Sequence, residues 1–267
     1  MTEVRTWFTK VNVVRTSQGT TKRAARREAT LERMVDAALE IVTGEGVEAL
    51  TMQRLARELG YAIGALYRYF PSKEALLLAV QRRVLEQLAA DLEEADARAL
   101  EHLARSRASD EAAVLTRIVL AAGVYETLPD RRPPHFRLLS VWLGEPAPIV
   151  PVESAMPAVP RVLGLFVTVP ALLQEAAARG ALSEGDAAQR ALVLFGAVHG
   201  VLALRKLARF GIDALQPELL SAELVRTLLI GWGASEPHLS DAMRRAKRLL
   251  ARGGLRETLA PSVEGSR

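Results

Sequence analysis

The chain contains no cysteine, which excludes disulfides, thiolate metal sites and cysteine nucleophiles at once. Aromatic residues make up only 5% of the 267 positions. The four histidines are His102, His135, His199 and His238, and none stands with a glutamate or another histidine at metal-ligand spacing on one helix. The GxSxG, phosphate-loop and dinucleotide fingerprints are all missing. No catalytic residue, metal ligand or cofactor is therefore assigned, and a non-enzymatic protein is expected. There is no uninterrupted apolar run of about 18 residues and no apolar N-terminal stretch suited to a signal peptide. The richest apolar stretch, Ala191 to Leu204, contains His199 and reads as a buried core helix. A cytoplasmic protein without a membrane partner is the expectation. Strand-like alternation and fixed-period repeats are also lacking.

Helical periodicity is present along most of the chain, and the expected fold class is all-α. The first helix is predicted from about residue 21 to 43, with Met34, Ala37, Ala38 and Ile41 on its core face. Another starts after Ser72 and runs to about Arg107, because Leu76, Val80, Val84, Leu88 and Leu92 recur at helical spacing. Further helices are predicted at about 110–127, 134–144, 156–179, 184–209, 217–233 and 237–252. The run GEPAPIVPVESAMPAVP, Gly144 to Pro160, is predicted as a loop, since repeated prolines remove donors and restrict their neighbours.

The most informative segment is the 28-residue LTMQRLARELGYAIGALYRYFPSKEALL, Leu50 to Leu77. Leu55, Ala56 and Leu59 form an apolar stripe on a short helix. Thr51 stands where an N-cap belongs, and Gly60 stands where the chain must turn through positive φ. A second short helix carries Ile63, Ala65, Tyr67 and Arg68. Pro71 then ends the pattern, and Ser72 caps the next helix. Two short helices joined by a glycine turn form the layout of a DNA-reading helix-turn-helix. Charge agrees with this reading. Residues 1–90 hold 14 Lys and Arg against 10 Asp and Glu, whereas residues 91–267 hold 21 against 21. The whole excess lies where phosphate contacts need it. Much of it comes from Arg5, Lys10, Arg15, Lys22, Arg23, Arg26 and Arg27. That arm either tracks DNA, for instance in the minor groove, or is a solvated tail.

The stretch from about Met34 to Val80 closely resembles the DNA-binding domain of the tetracycline-repressor (TetR/AcrR) family of bacterial regulators. The resemblance rests on Ala37-Ala38, Ile41, Gly44, Gly46, Leu50-Thr51, Leu55-Ala56, Leu59-Gly60, Gly64, Leu66-Tyr67, Tyr69-Phe70, Lys73 and Leu76. It covers roughly 50 of 267 residues. Family members often have Ser or Thr where Ala62 stands, so one common phosphate-touching hydroxyl is missing. The resemblance implies three parts: a flexible basic arm (1–25), a helix-turn-helix domain (26–80) and a helical effector-binding and dimerisation domain (81–267).

The start of the second helix of the pair enters the major groove, which makes Ala62, Ile63, Gly64 and Ala65 candidate DNA contacts. Ile63 or Ala65 suits a thymine methyl. Polar readout is assigned to Gln53 and Arg68, and phosphate clamping to Thr51, Tyr67 and Lys73. Arg54 is a further candidate, as is Arg57. Thr51 has the competing role of helix cap, while Tyr69 and Phe70 read as core packing.

For the rest of the chain the resemblance implies a small-molecule effector and a homodimer. Tyr125, Phe136, Trp142, Phe166, Phe195 and His199 are the candidate ligand-binding residues, with Tyr125 and His199 supplying polar contacts. Met156 and Trp232 also suit such a cavity, and all these side chains equally suit a packed core. Dimerisation is assigned to the helices at about 184–209 and 217–233, with Gly196 and Gly200 permitting close packing. A two-fold dimer implies palindromic double-stranded operator DNA. The C-terminal segment carries Arg244, Arg245, Lys247, Arg248 and Arg252, either a solvated basic face or a surface for nucleic acid or acidic lipid. The expected function is a dimeric repressor released from its operator by an effector. The alternatives are a ligand-independent or architectural DNA-binding protein, or an enzyme with a regulatory head.

Overall fold

The computed structural model describes residues 22–144, 167–212 and 215–252. Every regular element among them is helical: the protein is all-α. The helices are α1 (Lys22–Glu45), α2 (Met52–Leu59), α3 (Ile63–Tyr67), α4 (Lys73–Leu103), α5 (Asp110–Glu126) and α6 (Leu128–Arg131). They continue as α7 (Pro133–Gly144), α8 (Thr168–Ala178), α9 (Ala187–Ala203), α10 (Pro217–Gly231) and α11 (Glu236–Arg252). Short 3-10 turns follow α1 at Val47–Ala49 and α9 at Arg205–Phe210. α1 begins at Lys22, in line with the helix start predicted at about residue 21, so residues 22–25, also counted with the basic arm, are helical. The predicted loop from 145 to 160, together with Met156 and Phe166, lies outside the described residues.

The chain divides into two compact units, one ending at Arg83 and the other beginning at Val84, with α4 contributing residues to both. In the first unit α1 packs on α2, and α2 on α3. Met34, Leu50, Leu55, Leu66 and Leu76 are fully buried. The spacing of Val35, Leu39 and Val42 adds a second buried row on α1, broader than the stripe read from the sequence, where Ala37 is only half-buried.

In the second unit α5 is the central element. It packs against α8, α9, α10 and α11, and Val114, Leu115, Ile118 and Val124 are sealed from solvent. Ser109 starts α5 by accepting from the Ala112 amide at 3.2 Å. Buried on the same helix, the Thr116 hydroxyl donates to the Ala112 carbonyl at 2.6 Å, so no polar group is orphaned. At Gly123 a Cβ would approach the Leu250 side chain of α11 to 2.4 Å. Only hydrogen fits there without repacking that leucine. The helix predicted over 184–209 divides: Asp186 caps α9 by accepting from the Gln189 amide at 3.0 Å, and the chain tightens into a 3-10 turn after Ala203.

Candidate nucleic-acid interface and buried aromatic cluster

The geometry of the helix-turn-helix follows from its caps. Thr51 is extended, with φ −127° and ψ 151°, and its hydroxyl accepts from the Arg54 amide at 3.1 Å. Gly60 closes α2 in the left-handed region at φ 69°, where an L side chain would meet the backbone. The chain then reaches Ala62, which is extended and gives α3 no side-chain cap. Leu66 anchors α3 inward and is fully buried. As a result Ile63, Gly64, Tyr67 and Arg68 are exposed and Ala65 half-exposed. Ser72 begins α4 by accepting from the Ala75 amide at 3.2 Å. Its hydroxyl, with the first-turn amide of Glu74, also holds the Glu74 carboxyl below the usual range.

The basic candidates differ in their freedom. Arg54 is gripped by Glu45 through two parallel contacts of 2.6 and 2.5 Å, with Glu58 a further 3.8 Å from its Nε. This pair lowers the Glu45 pKa and raises that of Arg54. Lys73 lies 3.9 Å from Glu48, a loose and exposed pairing that water competes with. Gln53 and Arg68 are exposed. Arg27 of α1 stacks over the Tyr69 ring at 5.9 Å, so Tyr69 is half-buried beneath a cation. Phe70 is buried.

Within the second unit the structure brings four of the six ligand candidates together. The Tyr125 hydroxyl lies 2.7 Å from His199 Nδ1. Phe195 is 5.0 Å from Tyr125, and Phe136 is 5.2 Å from His199, between ring centroids. Burial pushes the Tyr125 phenol up and the His199 imidazole down, so both stay neutral. Trp142 is half-buried on α7 and makes none of these ring contacts. A separate shallow groove of about 280 Å³ lies along α4, lined in part by Asp91, Ala95, Arg98, His102, Arg105 and Leu249. It shares no residue with the aromatic cluster. Phe195 is the half-buried member of the cluster, while Tyr125, Phe136 and His199 are buried.

One face of α9 is unusual for a core helix. Leu192, Val193 and Leu204 are exposed, with Gly196 and Gly200 between them on the same face. Leu219 and Ile230 of α10 are exposed as well. The span Ala187–Phe210 is apolar enough to cross a bilayer by length and composition, yet little of it is buried.

Residues 34–80, which carry the caps, the glycine turn and the exposed α3 face, match the model of bacterial regulatory proteins, tetR family. These residues belong to that family. The tetR-family domain is 52% identical over 48 residues to the HTH-type transcriptional repressor DrrR1 of Streptomyces coeruleorubidus, a match covering 18% of each chain. Over a longer stretch of 84 residues the chain is 38% identical to the repressor KstR of Mycolicibacterium smegmatis, over 32% of this chain and 41% of that one. The chain thus matches well under half the length of these relatives. The fold extends further: full-length TylP, a tetR regulator from Streptomyces fradiae, superposes with a TM-score of 0.56 over 89% of this chain and 95% of its own, at 23% identity.

Outside the tetR-family domain, sequence reasoning missed two ion networks, one centred on a buried carboxylate and one part-buried. Asp91 of α4, almost wholly buried, pairs with Arg131 at 3.4 Å and with Arg132. Arg117 of α5 bridges Asp96 of α4 at 2.6 Å and Glu175 of α8 at 2.8 Å. The partners lie 21 to 58 positions apart, so no local spacing could have revealed them.

Proposed function

We propose that the chain is a dimeric DNA-binding transcriptional repressor released from its operator by a small-molecule effector. The observation that carries this reading is the tetR-family domain, whose α3 is anchored by a buried Leu66 and turns an exposed face outward. Ala62, Ile63, Gly64, Ala65, Gln53 and Arg68 face the bases in this reading. Thr51, Tyr67 and Lys73 hold phosphates. Arg54 is a weaker contact, because Glu45 must first release it.

The effector site is proposed at Tyr125, Phe136, Phe195 and His199, where apolar rings surround one polar pair. Trp142 is retained as a candidate, and so is Phe166, which lies outside the described residues. The apolar face of α9 and α10 is proposed as the isologous dimer interface, since a contiguous exposed apolar surface marks an interaction site. Coupling between effector and DNA then runs through α4, whose residues belong to both units. A cytoplasmic location and the absence of a catalytic role follow from that function.

The test is selection of duplex DNA from a random pool by the full chain, repeated with a metabolite panel. Enrichment of one palindromic sequence, weakened by one compound class, is the expected outcome. If only sequence-independent DNA is retained, and all of it is lost at moderate salt, the chain is an architectural binder.

A further inference from the structure

We propose that operator choice is set chiefly by thymine 5-methyl groups, with Ile63 the residue that touches them. The inference rests on the DNA-binding role above and adds the chemistry of the readout. On α3 the residues facing solvent begin Ala62, Ile63, Gly64, none with a side-chain donor or acceptor. Ile63 is 40% exposed and the Tyr67 side chain, one turn later, 48%, so an isoleucine and an aromatic ring share that face at i, i+4.

The nearby cations do not fill that gap. The Arg54 fork is occupied by Glu45, and reading the O6 and N7 of guanine would require breaking both contacts. Lys73 is drawn toward Glu48. The remaining polar candidates flank the patch: Gln53 on α2 and Arg68 at the C-terminal end of α3. Among base edges in the major groove, only thymine presents an apolar group, its C5 methyl. An isoleucine at the start of α3 is therefore complementary to thymine and indifferent to the donor and acceptor pattern of the other bases.

The experiment uses the full chain and the operator enriched from the random pool. Each thymine is replaced in turn by deoxyuridine, which removes the methyl and nothing else. At one or two positions per half-site, wild-type affinity should fall about three- to fivefold per methyl, the factor for burying one methylene-sized group. Ile63→Ala should bind thymine and uracil operators equally, both at the weakened level. Its salt dependence should stay unchanged, since no phosphate contact is lost. Ile63→Val, retaining most of the apolar surface, should preserve part of the discrimination.

Two results would overturn the proposal: wild-type affinity within twofold of the parent operator for every uracil substitution, or an Ile63→Ala protein that keeps the wild-type thymine-to-uracil ratio. Either leaves the DNA-binding role standing. Failure to enrich any sequence from the pool removes both. The substituted DNA tests the native protein, so the outcome does not depend on any variant folding.

Discussion

The Tyr125 hydroxyl and the Nδ1 of His199 lie 2.7 Å apart although 74 positions separate them in the chain. The contact joins the end of α5 to the middle of α9, the helix that bears the exposed apolar face. Both groups are buried, and each is held neutral by that burial. Removing either partner strands the other away from water. In Tyr125→Phe the imidazole nitrogen loses its partner with little change in ring packing. We expect a loss of about 1–3 kcal/mol, measured by urea unfolding.

The same pair predicts a pH dependence. His199 has a folded pKa below the ordinary 6.5 because burial penalises its charged form. The unfolded chain therefore binds the proton more readily, and His199 destabilises the fold as pH drops below about 6.5. Its contribution is fully present above that value. Thermal melts from pH 7.5 to 5 should show a decline that is shallower in His199→Gln. An identical decline in the two proteins would mean that His199 is not the group responsible.

Thr51 caps α2 by a single hydrogen bond to the Arg54 amide. Thr51→Ala should cost about 0.5–2 kcal/mol, whereas Thr51→Ser should be nearly neutral. If the hydroxyl also holds a phosphate, Thr51→Ala loses more in operator affinity than its change in stability explains. Parallel denaturation and DNA titration separate the two roles.

Arg117 neutralises Asp96 and Glu175 at once, and its proximity to Asp96 raises its own pKa. Arg117→Met leaves Asp96 without its cation, while Glu175 keeps Arg179 at 2.9 Å. Deleting one member of a buried pair costs about 3–5 kcal/mol. Glu175 is 30% exposed, so a loss of about 2–3 kcal/mol is expected here.

Leu192, 65% exposed on α9, is the most outward apolar side chain of the proposed dimer face. Leu192→Asp should convert a dimer to monomer in sedimentation velocity, leaving helical content unchanged. Retention of the dimer would place the interface elsewhere.

Much of the helix-turn-helix was legible in the sequence because its determinants are local. A capping hydroxyl three residues before its amide, a glycine at a left-handed turn and an apolar residue once per turn act within one or two helical turns. Thr51, Gly60 and Ser72 each perform the role their positions imply. Most helices of the second unit were likewise readable from period alone, with ends displaced by a few residues; the predicted start of the helix at 156–179 lies outside the described residues. The short α6 was missed, since four residues around Pro129 carry no periodic signal.

The sequence by itself determined that the chain is helical, where its reading segment lies and which residue types that segment presents. Those properties depend on backbone propensity and on neighbours within a turn. Only the tertiary structure decided which distant groups meet. It gathered Tyr125, Phe136, Phe195 and His199 from three helices, and it bound Arg54 of α2 to Glu45. It also placed the buried Asp91 and the half-buried Arg117 in ion networks spanning tens of residues. Charge pairing and ring packing act over a few ångströms in space and are indifferent to separation along the chain.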